Sequence, residues 1–387
     1  MSSLFDSPSR FDSNSLKWGV SKRELPMWVA DMDFQVAKEI RQALQEVVDH
    51  GILGYSLVPE ALFESMIAWW QRRYAFSFQR EWMVFSRGVL PSISCLIRCF
   101  SAPGDGVLVQ SPVYHMFYQC INDTKREVVD SPLTWRDGGY EIDFDSLEKQ
   151  LEKPSTKIFL LCNPHNPIGK IWDKDSLQKI GHLCQKHGVL VIADEIHCDI
   201  TTPNLRYIPF ASVDSICAIN SITLLSPGKS FNVADLHIGM VVAPDASKRR
   251  AAMQALQAEQ CQTANIFGIK GALAAYTHCD YWLDSLLEYI DESREVVRDF
   301  IDAHIPGLRL IPSKATYLLW MDYSKIPGVK VDNNDSFCDL LREKTGLYVS
   351  KGSGFGANGV GFLRMNIATS RDNLLDGLQR LKAGASF

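Results

Sequence analysis

The fold is decided around the stretch VLVIAD, residues 189–194. Five apolar residues in an unbroken run are typical of a strand that is buried on both faces of a sheet. A segment with helical spacing precedes the run at 173–187, and two further apolar runs follow at 216–225 and 238–243. Apolar strands separated by helices predict a mostly parallel sheet with helices covering both faces.

The same alternation extends through most of the chain. Further helical segments lie between the runs, and a long one at 282–305 leads into a second group of strands and helices. We therefore expect an α/β fold in two parts: a large domain with the central sheet, residues 50–280, and a smaller α+β domain made of residues 1–49 and 281–387. The remaining strands of the large sheet are predicted at 84–86, 107–110, 127–130 and 157–162.

Composition narrows the class of protein. The chain has 387 residues, of which 46% are hydrophobic and 22% charged, with a formal net charge of -5. This charge offers no basic surface for a nucleic acid, and no run of eighteen apolar residues predicts a membrane span. The ten cysteines form no CxxC pair, and the N-terminus lacks the apolar part of a signal peptide. We therefore expect a cytoplasmic protein with reduced thiols.

Four polar side chains follow strands of the predicted sheet or lie in the loops just after them. Ligands of such sheets gather beyond the carboxyl ends of the strands, so we expect these side chains to share one site. Taken singly, each has an ordinary interpretation, such as a solvated lysine, a capping aspartate, an Asn-Pro turn or a packed tyrosine. They are Tyr114 in SPVYHMF, Asn166 in NPHNPIGK, Asp194 in ADEIH and Lys229 in SPGKSFN.

This ordered set resembles the fold-type-I enzymes that use pyridoxal 5′-phosphate (PLP), whose large domain binds the cofactor. The resemblance implies that Lys229 holds PLP covalently and later serves as the general base. Asp194 would pair with the pyridinium nitrogen and keep it protonated, which improves the ring as an electron sink. The Asn166 amide would donate to the phenolate oxygen, and Tyr114 would stack on the pyridine face.

The phosphate group of PLP needs amide donors and a positive field. A glycine turn opens the predicted helix 91–100, so the backbone amides of Val89 and Leu90 would hold phosphate oxygens, with the Ser226 hydroxyl as a further donor. Many relatives carry an arginine eight positions after the lysine, where this chain has His237. Arg87 stands where relatives often have proline or glycine.

Two further positions differ from the pattern of related aminotransferases. His197 occupies the place of a tyrosine that shares the phenolate contact, and its imidazole would make the same contact. Ile168 replaces a threonine of the Asn-Pro loop. No second ligand at metal-binding spacing accompanies His197, so no metal site is predicted.

Substrate and partner contacts are also implied by the resemblance. Arg364 in FLRMNIA would clamp the α-carboxylate of an amino acid, with an internal ion pair as the alternative. Asp31 in PMWVADMDF is assigned to the substrate site, with a cap on the following helix as the alternative. Tyr55 matches a tyrosine that reaches the phosphate of the neighbouring subunit, which implies a homodimer with shared sites, unless it merely packs.

Longer motifs narrow the resemblance to bacterial carbon–sulfur lyases of the cystathionine β-lyase type, the MalY/PatB group. This implies β-elimination from cystathionine, cystine or another cysteine S-conjugate to a thiol, pyruvate and ammonia. An aminotransferase would share every site residue, and a PLP-binding regulatory protein acting through a protein partner is a third possibility. The motifs are PMWVADMDF, WMVFSRGVLPSI, LCNPHNPIGKIW, ADEIHCD, SPGKSFNVADLHIG and VSKGSGFGANGVGFLRMNIA.

Overall fold

The computed structural model describes residues 4–5, 7–136 and 138–386. The strands in these residues are β1 (Leu25–Pro26), β2 (Met83–Ser86), β3 (Gly106–Val109), β4 (Glu127–Asp130), β5 (Thr134–Arg136), β6 (Gly139–Glu141), β7 (Thr156–Cys162), β8 (Leu190–Asp194), β9 (Ser221–Leu225), β10 (Gly239–Val242), β11 (Arg309–Leu310), β12 (Leu318–Asp322), β13 (Leu347–Tyr348), β14 (Ser350–Lys351) and β15 (Phe362–Asn366). The α-helices are α1 (Lys38–His50), α2 (Glu60–Tyr74), α3 (Val89–Phe100), α4 (His115–Asp123), α5 (Phe144–Leu151), α6 (Lys174–Lys186), α7 (Ser215–Ile219), α8 (Ala246–Ala258), α9 (Ile266–His278), α10 (Asp280–His304), α11 (Ser336–Leu340) and α12 (Arg371–Gly384).

A seven-stranded sheet in the order β2-β10-β9-β8-β7-β3-β4 forms the centre of the molecule. The five strands from β9 to β4 run parallel, whereas β10 is antiparallel to both of its neighbours. The prediction of a mostly parallel sheet flanked by helices is therefore confirmed. Because the chain winds away from β3 in both directions, a crevice opens between the carboxyl ends of β3 and β7, where such sheets bind ligands.

One predicted strand is wrong in its first half. Residues 216–225 were expected to be a single strand, but α7 occupies the first part and β9 begins only at Ser221. The Asp214 carboxylate caps this helix by accepting from the backbone N–H of Cys217 at 2.8 Å. A short apolar run cannot be assigned to helix or strand by its periodicity alone, and here the cap decides.

A second sheet has four antiparallel strands in the order β11-β12-β15-β14. Its strands place Arg364 between Trp320 on one side and Ser350 on the other. The division at residues 50 and 280 stays a prediction, because the described core is shared across it. Gly271 of α9 lies close to Leu44 of α1, where even a methyl group would meet the leucine side chain at 3.5 Å.

The N-terminal segment joins the smaller sheet region to the large one. Its strand β1 pairs in parallel with β13, and the Asn232 amide, just after Lys229, donates to the carbonyls of Met32 and Phe34 at 3.1 and 3.0 Å. The segment therefore passes directly over the loop that carries the candidate lysine. None of the helices in the described part of the chain has the length and apolar content needed to span a bilayer.

Candidate active site

A cavity of about 300 Å³ lies at the carboxyl ends of the parallel strands. Its walls include eight of the eleven residues that the sequence singled out, although they are spread over 140 positions of the chain. The parallel topology thus brings the predicted strand-end residues to one place. The eight are Val89, Leu90, Tyr114, Asn166, Asp194, His197, Ser226 and Lys229.

Among the described residues, no cationic side chain forms an ion pair with the buried Asp194 carboxylate. Only 4% of the residue is exposed, and its Oδ1 accepts a hydrogen bond from the backbone N–H of Ile196 at 3.1 Å. Burial raises its pKa to about 6, because the low-dielectric surroundings disfavour the charged form. Such a group is stabilised by a cation at the cavity surface, and a pyridinium nitrogen meets that need.

Lys229 presents its amine to the same cavity. Its Nζ donates to the carbonyl oxygen of Ala30 at 2.6 Å. Burial lowers the pKa of Lys229 to about 8, although the negative charge of Asp31 opposes that shift. A large fraction of neutral amine is therefore present in mildly alkaline solution, as a nucleophile or general base requires.

Arg364 is buried and has no carboxylate partner among the described residues. Its guanidinium donates to Asn166 Oδ1 at 3.0 Å and to the Trp28 carbonyl at 2.9 Å, while Nε has no hydrogen-bond partner. The internal ion pair considered from the sequence is thus not formed. The positive charge stays available for an incoming carboxylate, which is the group that arginine binds best in a planar, bidentate way.

Asn166 and His197 line the same cavity as Asp194. Because Arg364 donates to the Asn166 carbonyl oxygen, the amide N–H₂ of Asn166 is left to donate to a ligand. Burial and the nearby charge of Lys229 lower the pKa of His197 to about 3, so its ring is neutral. The His197 Nδ1 has no partner among the described residues, which leaves a polar atom for a bound group.

The start of α3 forms an anion cradle at one end of the cavity. No side chain in the described part of the chain caps this helix, so the first N–H groups at Val89 and Leu90 have no partner within it. Gly88, the residue before the helix, has φ +131°, which a residue with a side chain adopts only with strain. Its Cα would also lie 2.8 Å from a methyl group placed on Gly239, so the turn depends on two glycines.

The Ser226 hydroxyl, which was expected to donate to the phosphate, already has hydrogen-bond partners within the protein. The Ser226 hydroxyl donates to the Ile238 carbonyl at 2.7 Å and accepts from the Gly228 N–H at 3.0 Å, so it holds the turn before Lys229 together. Arg87 and His237 line the cavity at the cradle, and the charge of the Arg87 guanidinium would favour a phosphate there.

The structure places Asp31 and Tyr55 outside the cavity. The Asp31 carboxylate pairs with Arg10 at 2.8 Å, and α1 begins at Lys38 without a side-chain cap, so the capping alternative is wrong. Tyr55 is fully exposed in a segment that lies between α1 and α2. Within one chain, Tyr55 therefore contacts no part of the site.

Sequence reasoning missed the backbone of residues 28–30. The carbonyl of Trp28 holds Arg364, and the carbonyl of Ala30 accepts from both Lys229 and the Tyr317 hydroxyl, the latter at 3.0 Å. The apolar character of PMWVADMDF indicated that this segment packs near a site. Only its acidic side chains were considered, because a carbonyl contact has no signature in the sequence.

Comparisons with known proteins agree with this geometry. The family "Aminotransferase class I and II" matches residues 26–381. The chain is 37% identical to cystathionine beta-lyase PatB of Bacillus subtilis (strain 168), covering 97% of this chain and 98% of that protein. It is 33% identical to protein MalY of Escherichia coli (strain K12), covering 92% and 90%. The PLP-bound C-S lyase from Staphylococcus hominis has a TM-score of 0.91 at 29% identity, covering 99% and 98%.

The residues in the cavity fit PLP. The cavity walls hold the buried Asp194 carboxylate, the Lys229 amine of lowered pKa, and the N-terminus of α3, which can bind an anion. These are the three contacts that a pyridinium ring with an aldehyde and a phosphate requires. The chain therefore belongs to the class I and II aminotransferase family and is a PLP-dependent enzyme of fold type I.

Proposed function

We propose that this PLP-dependent carbon–sulfur β-lyase acts on cysteine S-conjugates, among them cystathionine and cystine. Its similarity to proteins named cystathionine beta-lyase and C-S lyase supports this reaction type. The observation that carries the proposal is the Arg364 guanidinium, which has no carboxylate partner among the described residues and lines one cavity together with Lys229. This pair gives an amino acid a carboxylate anchor next to a base.

Each step can be assigned to a side chain of this protein. Arg364 binds the α-carboxylate and thereby orients the substrate, and Lys229 removes the Cα proton as general base. When bound, PLP supplies the electron sink that makes this proton acidic. With PLP bound, Asp194 would hold a proton at the ring nitrogen, and Asn166 with His197 would contact the phenolate oxygen. The thiolate then leaves from Cβ.

A transaminase of this family would use the same residues and return the proton to the cofactor instead. Purified enzyme supplied with L-cystathionine or L-cystine should release pyruvate and a sulfur product without any added keto acid. Pyruvate is followed with a lactate dehydrogenase assay, and thiol with a chromogenic disulfide. A strict requirement for a keto acid would contradict the lyase assignment and favour the transaminase.

We also propose that the enzyme works as a homodimer in which Tyr55 reaches the neighbouring site. Support comes from four large side chains that are mostly exposed in a single chain: Ile52 70%, Leu53 64%, Tyr55 111% and Leu57 92%. Such a run of exposed apolar residues is typical of an interface. A cytoplasmic location is proposed as well, since all ten cysteines are free thiols in the structure.

A further inference from the structure

A second cavity of about 680 Å³ adjoins the cofactor cavity. The two share Ala30, Leu90, Tyr114 and Lys229 as walls, and the second cavity also reaches Arg364. A substrate whose carboxylate lies on Arg364 and whose Cα lies near Lys229 therefore has one large space beside it. We call this space, lined by residues 28, 115, 348 and 355 among others, the vestibule.

The walls of the vestibule are rich in aromatic rings. Trp28 and Tyr348 stack with their ring centres 4.9 Å apart and their planes 21° from parallel. Phe355, which is 2% exposed, packs edge-on against the His115 ring at 5.6 Å and lies 4.8 Å from the Arg364 guanidinium. Burial of an apolar or aromatic group against such walls is favourable, because it removes apolar surface from water.

Charged groups at the rim of the vestibule already have partners. Asp339 pairs with Lys351 at 2.6 Å, and Arg342 pairs with Glu24 at 2.5 Å while it covers the Tyr348 ring at 3.8 Å. Among the described lysine and arginine residues that line this space, Lys229 and Arg364 alone have no acidic partner, and the reacting half of the substrate uses both. A charged group at the far end of a substrate would therefore compete with an existing ion pair.

We propose that the vestibule selects cysteine S-conjugates whose sulfur carries an aromatic or bulky apolar group. This inference rests on the proposed lyase function and names its substrate class. The amino and carboxylate groups at the far end of cystathionine or cystine meet aromatic walls and paired charges. A benzyl group meets surfaces that bury it, and its thiol departs without needing a charged partner.

The first test compares kcat/KM for S-benzyl-L-cysteine, S-methyl-L-cysteine and L-cystathionine with the holoenzyme. We expect the S-benzyl compound to exceed both others by about tenfold or more, since burial of a phenyl ring is worth at least that factor. A value for L-cystathionine that equals or exceeds the S-benzyl value overturns the inference. If none of the three is cleaved, the proposed function fails, and the binding test below still decides the inference.

The second test measures binding without any reaction. S-benzyl-3-mercaptopropanoate and S-methyl-3-mercaptopropanoate lack the α-amine, so they cannot join the cofactor but keep the carboxylate that Arg364 binds. Titration calorimetry should give an affinity about tenfold higher for the benzyl compound. Equal affinities would overturn the inference whatever the activity of the enzyme.

Variants locate the effect in the vestibule. Tyr348→Ala and Trp28→Leu should each lower the ratio of benzyl to methyl affinity by about fivefold, because each removes one ring of the stacked pair. Tyr281→Ala, on the exposed side of α10, is the matched control and should leave the ratio unchanged. Thermal melting verifies that the variants are folded. If either Tyr348→Ala or Trp28→Leu fails to fold, the other variant still tests the stacked pair. An unchanged ratio in a folded Tyr348 or Trp28 variant overturns the inference.

Discussion

At the scale of single residues, burial of the Asp194 carboxylate has a cost in stability. Its folded-state pKa of about 6 lies above the ordinary value of 3.8, so the ionised form is disfavoured in the folded protein. The sign follows from linkage: stability from this group is greatest below pH 4 and is lost as the pH rises through 6. The loss amounts to about 3 kcal/mol at neutral pH when no cofactor is present.

Asp194→Asn should therefore stabilise the cofactor-free protein at pH 8, by up to about 3 kcal/mol, while it weakens elimination in the loaded enzyme. The stability gain should disappear near pH 4, where the carboxyl of the parent protein is protonated. Urea unfolding at the two pH values measures both numbers. A variant that is less stable than its parent at pH 8 would show that the carboxylate has a favourable partner in the folded state.

Lys229→Ala should lower the rate of pyruvate release by about a thousandfold or more, because it removes both the covalent anchor and the base. Lys248→Ala, at the start of α8, is a lysine control that should keep the parental rate. Borohydride treatment followed by mass spectrometry gives an independent readout, since the cofactor should become fixed to the parent chain and not to the variant. Near-normal turnover by Lys229→Ala would remove the basis of the assignment.

At the scale of elements, residues 27–34 act as a strap across the site. The Asn366 amide donates to the carbonyls of Val29 and Asp31, both at 2.6 Å. Asn366→Leu leaves these two carbonyls without their donor and should cost about 2–4 kcal/mol. Hydrogen exchange should quicken in residues 27–34, whereas Asn373→Leu on α12 should leave that segment protected. Unchanged exchange in Asn366→Leu would mean that other contacts suffice to hold the strap.

The same strap carries a buried ion pair. Burial opposes ionisation of Asp33, but the Lys17 ammonium at 2.9 Å and the hydrogen bonds from Trp18 and Thr369 together outweigh it and lower the pKa of the carboxyl. A lowered carboxyl pKa stabilises the fold above its ordinary value near 4, and this stability is lost as the pH falls. Asp33→Asn leaves Lys17, which is 0% exposed, without its main partner and should cost about 3–5 kcal/mol at pH 7. The difference in urea midpoint between the parent protein and Asp33→Asn should shrink at pH 3. A difference that stays constant with pH would contradict a stabilising role of the ionised Asp33.

Sequence patterns predicted the elements better than the contacts between them. Apolar runs and helical spacing identified the parallel sheet, and motif side chains at strand ends identified Asn166, Asp194 and Lys229 as one group. The comparisons also confirm the cofactor class and the carbon–sulfur lyase assignment. The vestibule could not be predicted, because Trp28 and Tyr348 lie 320 positions apart and meet only through the pairing of β1 with β13. The carbonyl contacts at residues 28–30 depend on backbone placement alone.

At the scale of the whole molecule, the exposed Tyr55 predicts that active sites are shared between subunits. Tyr55→Ala and Lys229→Ala chains, each inactive alone, should regain about a quarter of the parental activity when mixed and reassembled in equal amounts. Half of the dimers are then mixed, and each of these has one intact site. Native mass spectrometry confirms that mixed dimers have formed. No regain of activity in confirmed mixed dimers would contradict sharing.

The dual role of residue 28 has a consequence for how such an enzyme can change. Its carbonyl oxygen steadies Arg364, while its indole ring forms a wall of the vestibule. Any amino acid supplies the carbonyl, so a mutation at this codon can alter which thiol is released without loosening the anchor for the amino-acid half. Selection for new sulfur compounds can therefore act at this position while the elimination chemistry is inherited intact.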